Sequence, residues 1–210
     1  MEQTRTRIKF CGMTRAEDAL AAVALGVDAL GFILVPGSPR RVGLDAAAAI
    51  RRKLPPLVSV VALLRNPDSE EVRETIEALR PELLQFHGEE TPQFCAAFGL
   101  PYLKVVAMRG LQQPLADIAR DYAGAAALLL DGHAPGELGG QGKVFDWAGI
   151  ADLDKPLILA GGLNSDNVAT AIRLAHPFAV DVSSGIESKP GIKDSGKMEA
   201  FVQQVRNADF

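Results

Sequence analysis

"KPLILAGGLNSDNVATAIRLAHPFAVDVSSG" (residues 155–185) contains one complete structural unit. Its first part, "KPLILAGG" (155–162), is a short apolar run that ends in two glycines. The middle, "NSDNVATAIRLA" (164–175), has helical spacing behind an Asn or Ser cap. The last part, "FAVDVSSG" (178–185), is a second apolar run, ending in Ser-Ser-Gly. Runs of this length and content are those of buried parallel strands. A strand, a helix and a strand in this order make a parallel crossover.

The same alternation extends back to the N-terminus. Six more runs precede it: "RIKFCG" (7–12), "DALGFIL" (28–34), "LVSVVALL" (57–64), "ELLQFHG" (82–88), "PYLKVVAM" (101–108) and "AAALLLDG" (125–132). Helical segments separate them. "TRAEDALAAVALG" carries a Thr14–Glu17 capping-box pattern and a terminal Gly26. "DSEEVRETIEALR" opens on Asp68, with Glu70 and Glu71 in the first turn, where the helix dipole favours them. "FDWAGIADL" (145–153) predicts a helix between the sixth and seventh runs, and "DSGKMEAFVQQVRNA" (194–208) a last helix. No linker or change of composition divides the chain. The expectation is an α/β fold: a single-domain (β/α)8 TIM barrel over residues 1–210, with a doubly wound open sheet as the alternative.

Composition agrees with an enzyme-like globular protein. Of the 210 residues 48% are hydrophobic and 23% charged, and the formal net charge is −4. No basic run interleaved with aromatics points to nucleic acid. No apolar stretch reaches the roughly 18 residues of a membrane span. Two cysteines, Cys11 and Cys95, read as free thiols of a reducing compartment, and with no signal-peptide pattern the expectation is cytoplasmic.

A (β/α)8 barrel carries its site at the C-terminal ends of its strands. Here those ends present Cys11-Gly12, Val35-Pro36-Gly37, Leu64-Arg65, His87-Gly88, Met108-Arg109, Asp131-Gly132, Gly161-Gly162 and Ser183-Ser184-Gly185. Loops after the seventh and eighth strands often hold a phosphate, so Gly161, Gly162, Ser184 and Gly185 form a candidate single-phosphate site, with Ser183 as a further hydroxyl. Asp131 heads a glycine-rich loop (132–142) that could close over a ligand. Arg40 could clamp a carboxylate, and Arg41 reads as solvated. His87 ends a strand, His133 follows Asp131 and His176 reads as structural. No spacing repeats on one element, so the expectation is that the histidines hold no metal. Cys95 sits in a helical pattern and reads as packing. Cys11 and Asp131, expected on opposite sides of the barrel mouth, suggest cofactor-free proton transfer on a sugar phosphate.

These residues resemble the phosphoribosylanthranilate isomerase family of tryptophan biosynthesis. The resemblance is carried by "KFCGMT" (9–14), "ILVPGSPR" (33–40), "QFHG" (85–88), the segment from Asp131 to Trp147, "LAGGL" (159–163) and "DVSSGIE" (181–187). It implies the Amadori rearrangement of N-(5-phosphoribosyl)anthranilate to 1-(2-carboxyphenylamino)-1-deoxyribulose 5-phosphate. By the family pattern Cys11 is the general base and Asp131 the general acid. Arg40 would hold the anthranilate carboxylate, Asp181 would lie near the anthranilate amine, and Gly161, Gly162, Ser184 and Gly185 would hold the phosphate. No metal or organic cofactor is implied, and the only expected partners are the small substrate and, in a homodimer, a second copy; a monomer serves equally. Two departures stand out: Gln141 where Thr is common, and "ALLRN" (62–66) in place of "VGVFVN".

The chemistry sets a protonation problem. A free thiol with a pKa near 8.5 is only about 3% thiolate at pH 7. Strand alternation puts Lys9 beside Cys11, where it could lower that value or simply pair inside the barrel. Asp131 would need to stay protonated, a rise of roughly 3 units. The rival readings are a histidine-pathway type sugar-phosphate isomerase, which would use two aspartates and two phosphate sites, and a catalytically silent phosphosugar-binding barrel.

Overall fold

A computed structural model of the chain describes residues 5–134, 145–147, 150 and 153–209. Eight parallel strands close into a barrel in sequence order: β1 (Arg7–Cys11), β2 (Ala29–Ile33), β3 (Ser59–Leu64), β4 (Leu83–Phe86), β5 (Tyr102–Ala107), β6 (Ala127–Asp131), β7 (Leu157–Leu159) and β8 (Ala179–Val182). Each lies inside one of the eight apolar runs. Closure pairs β1 with β8, setting Lys9 beside Asp181 and Phe10 beside Val182. The open-sheet alternative is thereby excluded.

The helices are α1 (Ala16–Ala24), α2 (Leu44–Arg51), α3 (Ser69–Leu79), α4 (Pro92–Ala96), α5 (Leu115–Asp121), α6 (Val168–Ala175) and α7 (Ser195–Ala208). Of the segment expected as a helix over 145–153, residues 145–147, 150 and 153 are described and none of them is helical; Gln141 and residues 135–142 of the glycine-rich loop lie outside the described residues.

Alternation along each strand sorts the side chains into two sets. One faces the helices: Phe10, Leu30, Phe32, Leu64, Leu84 and Phe86 belong to the main core, with Phe10 edge-on to Phe201 of α7. The other fills the barrel: Val61, Leu103, Val105, Ala127, Leu129 and Ile158 pack together inside it. The odd-numbered residues of β1, β6 and β8 share this interior phase. That is why Cys11, Asp131 and Asp181 turn into the barrel mouth and not toward the helices.

Local capping is partly as expected. Asp68 accepts from the Glu70 and Glu71 N–H groups, each at 2.9 Å, and caps α3. The Thr14–Glu17 capping box does not form. Helix α1 starts at Ala16 after Arg15 with no side-chain cap, and the Thr14 hydroxyl donates to the Gly191 carbonyl. The Asn cap of α6 is also altered: Asn167 precedes the helix, but its Oδ1 accepts from Asn164 N at 2.9 Å. Gly191 lies in an unanticipated hairpin, β9 (Glu187–Lys189) and β10 (Ile192–Lys193), inserted between β8 and α7. Among the described residues no helix is long and apolar enough to cross a membrane.

The two N-termini predict different responses. Asp68→Ala removes a made cap and lowers stability by about 1 kcal/mol. Glu17→Gln removes only an exposed partner of Arg15 and changes stability by less than about 0.5 kcal/mol. Urea unfolding of both variants, compared at constant slope, measures the contrast.

Candidate active site

The strand ends enclose a cavity that opens to solvent. Its wall includes Cys11 from β1, Arg40 from the loop after β2, Asp131 from β6, Gly161 and Gly162 after β7, and Asp181 and Ser184 from the end of β8. All the candidate site residues except Gly185 therefore meet in one place. Gly185 lies just behind, in the short turn Ser184–Ile186, where an added Cβ would come within 2.0 Å of the Leu163 carbonyl oxygen. Cys11 and Asp131 stand three strand steps apart round the ring of eight, one short of diametrically opposite. Only β7 and β8 separate their strands. Asp181 of β8 lies between them and feels both the Asp131 charge and Lys9.

Two glycines set the rim. Gly161 has φ +80°, and a Cβ there would lie 2.3 Å from the Gly132 nitrogen and 2.9 Å from Asp131 Oδ1. A side chain would thus displace the proposed acid itself. Gly12 has φ +77°, and a Cβ would press on Arg40 Cδ and Ser183 Oγ at 3.0 Å. Glycine after Cys11 turns the chain off the strand while leaving those two side chains in place.

Below the cavity Lys9 Nζ donates to Asp181 Oδ1 at 2.8 Å, and both side chains are buried. Burial opposes the Lys9 charge, but Asp181 and Cys11 overcome it and hold Lys9 above its ordinary value. The pairing reading of Lys9 is therefore correct. Its expected lowering of the Cys11 pKa is only part of the balance. Burial pushes the thiol up, Lys9 and Lys193 pull it down, and burial wins. Asp131 departs from expectation in the other direction. Burial lifts it, but the His133 side chain and the charges of His87 and His133 outweigh that and hold its carboxyl below the usual range. The resting pair is a thiol and a carboxylate.

Arg40 is buried and already committed. Its Nε lies 2.9 and 3.0 Å from the two carboxylate oxygens of Glu187, and its Nη2 lies 2.9 Å from Oε2. Glu187 also takes Lys193 Nζ at 2.8 Å. Lys193 in turn donates to the Cys11 carbonyl at 2.6 Å and the Ser183 carbonyl at 3.1 Å. Neither Glu187 nor Lys193 was singled out from sequence. The signal available was the Pro190-Gly191 pair, a turn signature between two charged positions.

Gln85, His87 and Arg65 also line the cavity. His87 is driven down to about 4 by burial, against the pull of Asp131. It lies 3.9 Å from Asp131, and His133 lies 3.4 Å from it. The expectation of no metal constellation rested on spacing within one element. The fold instead gathers three possible ligands, His87, Asp131 and His133, from two strand ends. The bland readings hold elsewhere: Arg41 and His176 are exposed, and Cys95 is fully buried in the core.

A (β/α)8 barrel with an acid, a thiol, a buried arginine and two glycine-bearing loops at one mouth is of the sugar-phosphate isomerase class. A family model described as N-(5'phosphoribosyl)anthranilate (PRA) isomerase matches residues 8–204. An N-(5'-phosphoribosyl)anthranilate isomerase from Xanthomonas euvesicatoria is 54% identical over 211 residues, covering 98% of this chain and 95% of its own. The crystal structure of the phosphoribosyl anthranilate isomerase from Thermus thermophilus superposes with a TM-score of 0.83 at 39% identity, over 96% of this chain and 99% of that one. A further isomerase structure, in complex with reduced 1-(o-carboxyphenylamino)-1-deoxyribulose 5-phosphate, gives a TM-score of 0.83 at 34% identity, over 96% and 99% of the two chains. The chain belongs to the N-(5'-phosphoribosyl)anthranilate isomerase family.

The thiol's balance can be measured. In a Cys95→Ala background, the pH dependence of Cys11 alkylation has its midpoint above that of an ordinary thiol. Lys9→Met raises that midpoint further, because it removes the main group that stabilises the thiolate. An unmoved midpoint would remove Lys9 from the account.

Proposed function

We propose that this barrel catalyses the Amadori rearrangement of N-(5'-phosphoribosyl)anthranilate to 1-(2-carboxyphenylamino)-1-deoxyribulose 5-phosphate, the isomerase step of tryptophan biosynthesis. The observation that carries the reading is the convergence of Cys11, Asp131, Asp181 and Arg40 on one cavity with the β7 and β8 glycine loops at its rim. The substrate has a phosphate at one end and a carboxylate at the other, and the cavity offers different chemistry to each. Backbone N–H groups around Gly161 and Gly162, with Ser184 and Gly185, receive the phosphate. Arg40 receives the anthranilate carboxylate. Glu187 already takes its Nε and Nη2, so the outer Nη1–Nη2 end is the part that meets substrate.

The reaction needs two proton transfers. Asp131 gives a proton to the ribose ring oxygen as the C1–O bond breaks. The anilino nitrogen lone pair forms the C1=N bond of a Schiff base. Cys11 then takes the proton from C2, and the electrons of that bond form an enol-amine that tautomerises to the ketone. Asp181 faces the amine nitrogen and stabilises its positive charge in the Schiff base. The chain acts as one domain over residues 1–210, in the cytoplasm, as a monomer or homodimer, with no metal or organic cofactor.

Purified protein given freshly made phosphoribosylanthranilate is expected to discharge its anthranilate fluorescence rapidly, with or without chelator. Cys11→Ala and Asp131→Asn each lower kcat by at least about 10³-fold, while the reduced product still binds. Decay that survives in either variant would remove that residue from its role. No decay from folded, ligand-binding wild type would favour the silent barrel.

The pH profile carries a second prediction. Turnover requires protonated Asp131 together with the Cys11 thiolate, the reverse of the resting pair. As pH rises between the two pKa values, the protonated Asp131 fraction falls as the thiolate fraction grows, so their product stays constant. In kcat/KM the profile is therefore flat through neutrality. It declines only below the Asp131 value, itself under 3.8, and above the Cys11 value, itself over 9.0. A sharp optimum near pH 7 would contradict this assignment of groups.

A further inference from the structure

His87 stands one residue beyond β4, and the alternation of that strand turns it inward. His133 stands two residues beyond β6 and folds back over its own strand end. The two rings meet with centroids 4.9 Å apart and planes at 36°. Between them is the Asp131 carboxylate, with Oδ2 3.9 Å from His87 Nε2 and Oδ1 3.4 Å from His133 Nδ1.

Neither approach forms a hydrogen bond. Nδ1 and Nε2 of His87 and Nδ1 of His133 are buried with no hydrogen-bond partner. Leaving such groups unmet costs about 1–3 kcal/mol each, so a third party that accepts their lone pairs would be favoured. Only 10% of the His87 side chain is exposed, and it borders the cavity.

The three residues each offer one ligand atom, and these atoms lie within 4.8 Å of one another. A tetrahedral ion with bonds of about 2.0–2.1 Å holds its ligands about 3.3 Å apart. The His133–Asp131 separation of 3.4 Å already has that spacing, and the His87–Asp131 separation of 3.9 Å lies close to it. Two imidazoles and a carboxylate select borderline first-row ions over Mg²⁺ or Ca²⁺. The cavity side leaves the fourth position open.

We infer that His87, Asp131 and His133 form a binding site for one divalent transition ion of the Zn²⁺ or Co²⁺ type, and that the ion inhibits the enzyme reversibly. It has no part in the rearrangement. It blocks turnover by occupying the carboxylate that must carry a proton, so the inhibition, unlike the binding, rests on the reading of Asp131 as the acid.

Cobalt reports the site without any reference to activity. Protein stripped with chelator and titrated with Co²⁺ alone is expected to show tetrahedral visible bands that saturate at about one equivalent, and Zn²⁺ abolishes them. His87→Gln and His133→Gln each weaken binding by at least about 100-fold, the upper range for disturbing a metal's outer partners. Cys11→Ser leaves the bands intact. No visible bands, or a thiolate-to-cobalt band that Cys11→Ser removes, would overturn the site. Should the histidine variants fail to fold, the wild-type and Cys11→Ser spectra still decide. Zn²⁺ should stop turnover over the same concentration range in which it displaces Co²⁺, and chelator should restore it. Binding without inhibition would retain the site, overturn the inhibitory role and count against Asp131 as the acid.

Discussion

The Glu187 carboxylate organises more of the active site than any other side chain. It is buried, yet it meets Arg40 on one side and Lys193 on the other. Lys193 reaches on to the carbonyls of Cys11 and Ser183. One carboxylate thus links the backbone of the proposed base, the loop proposed to bind phosphate and the proposed carboxylate clamp. Each cation alone would be expensive to bury, and the carboxylate alone more so. Together they satisfy one another. The hairpin that carries Glu187 and Lys193 is therefore part of the site, although it lies after the last barrel strand.

A second buried pair, Lys9 with Asp181, sits below the first. It sets the electrostatic level around Cys11 and Asp131. The chain carries a net charge of −4, but Arg40 and Arg65 line its cavity and Lys9 lies beneath it, beside Asp181. A doubly anionic ligand is drawn by this local field and not by the protein as a whole. Glu187 offsets much of Arg40, and Asp181 much of Lys9. The cavity is thus near balance until the ligand arrives. Burial keeps the thiol high, and that balance helps: a cation already paired with a carboxylate has less to give to a neighbouring sulfur.

The barrel was legible because its determinants are local. Eight apolar runs with helical segments between them leave few architectures open, and strand ends are visible in the runs themselves. Alternation then aims Cys11, Asp131 and Asp181 inward. What escaped depends on contacts between distant segments. Thr14 reads as a helix cap until Gly191, 177 residues away, takes its hydroxyl. His87 and His133 come from different strands and meet only once β4, β5 and β6 are side by side. Glu187 has no local pattern that marks it as a partner of Arg40.

The resting protonation states follow from the same geometry. Burial alone would raise both groups, leaving an acid and a thiol. The two histidines break that symmetry, because they stabilise only the carboxylate. The free protein therefore stores its proton on sulfur, where it is inactive toward both substrate bonds. Binding reverses one side of this arrangement. A phosphate and a carboxylate entering the cavity add negative charge and expel water, and both effects raise Asp131 toward its protonated form. The same charges disfavour the thiolate, so ligand binding cannot ready both groups at once by field alone. The order of the chemistry removes the difficulty. In the proposed mechanism ring opening needs the acid first and generates a cationic Schiff base, and that new charge then favours the thiolate when C2 is to be deprotonated. The minor form with Asp131 protonated and Cys11 ionised enters this proposed reaction, and the cation formed by the first step then holds the thiolate ready for the second.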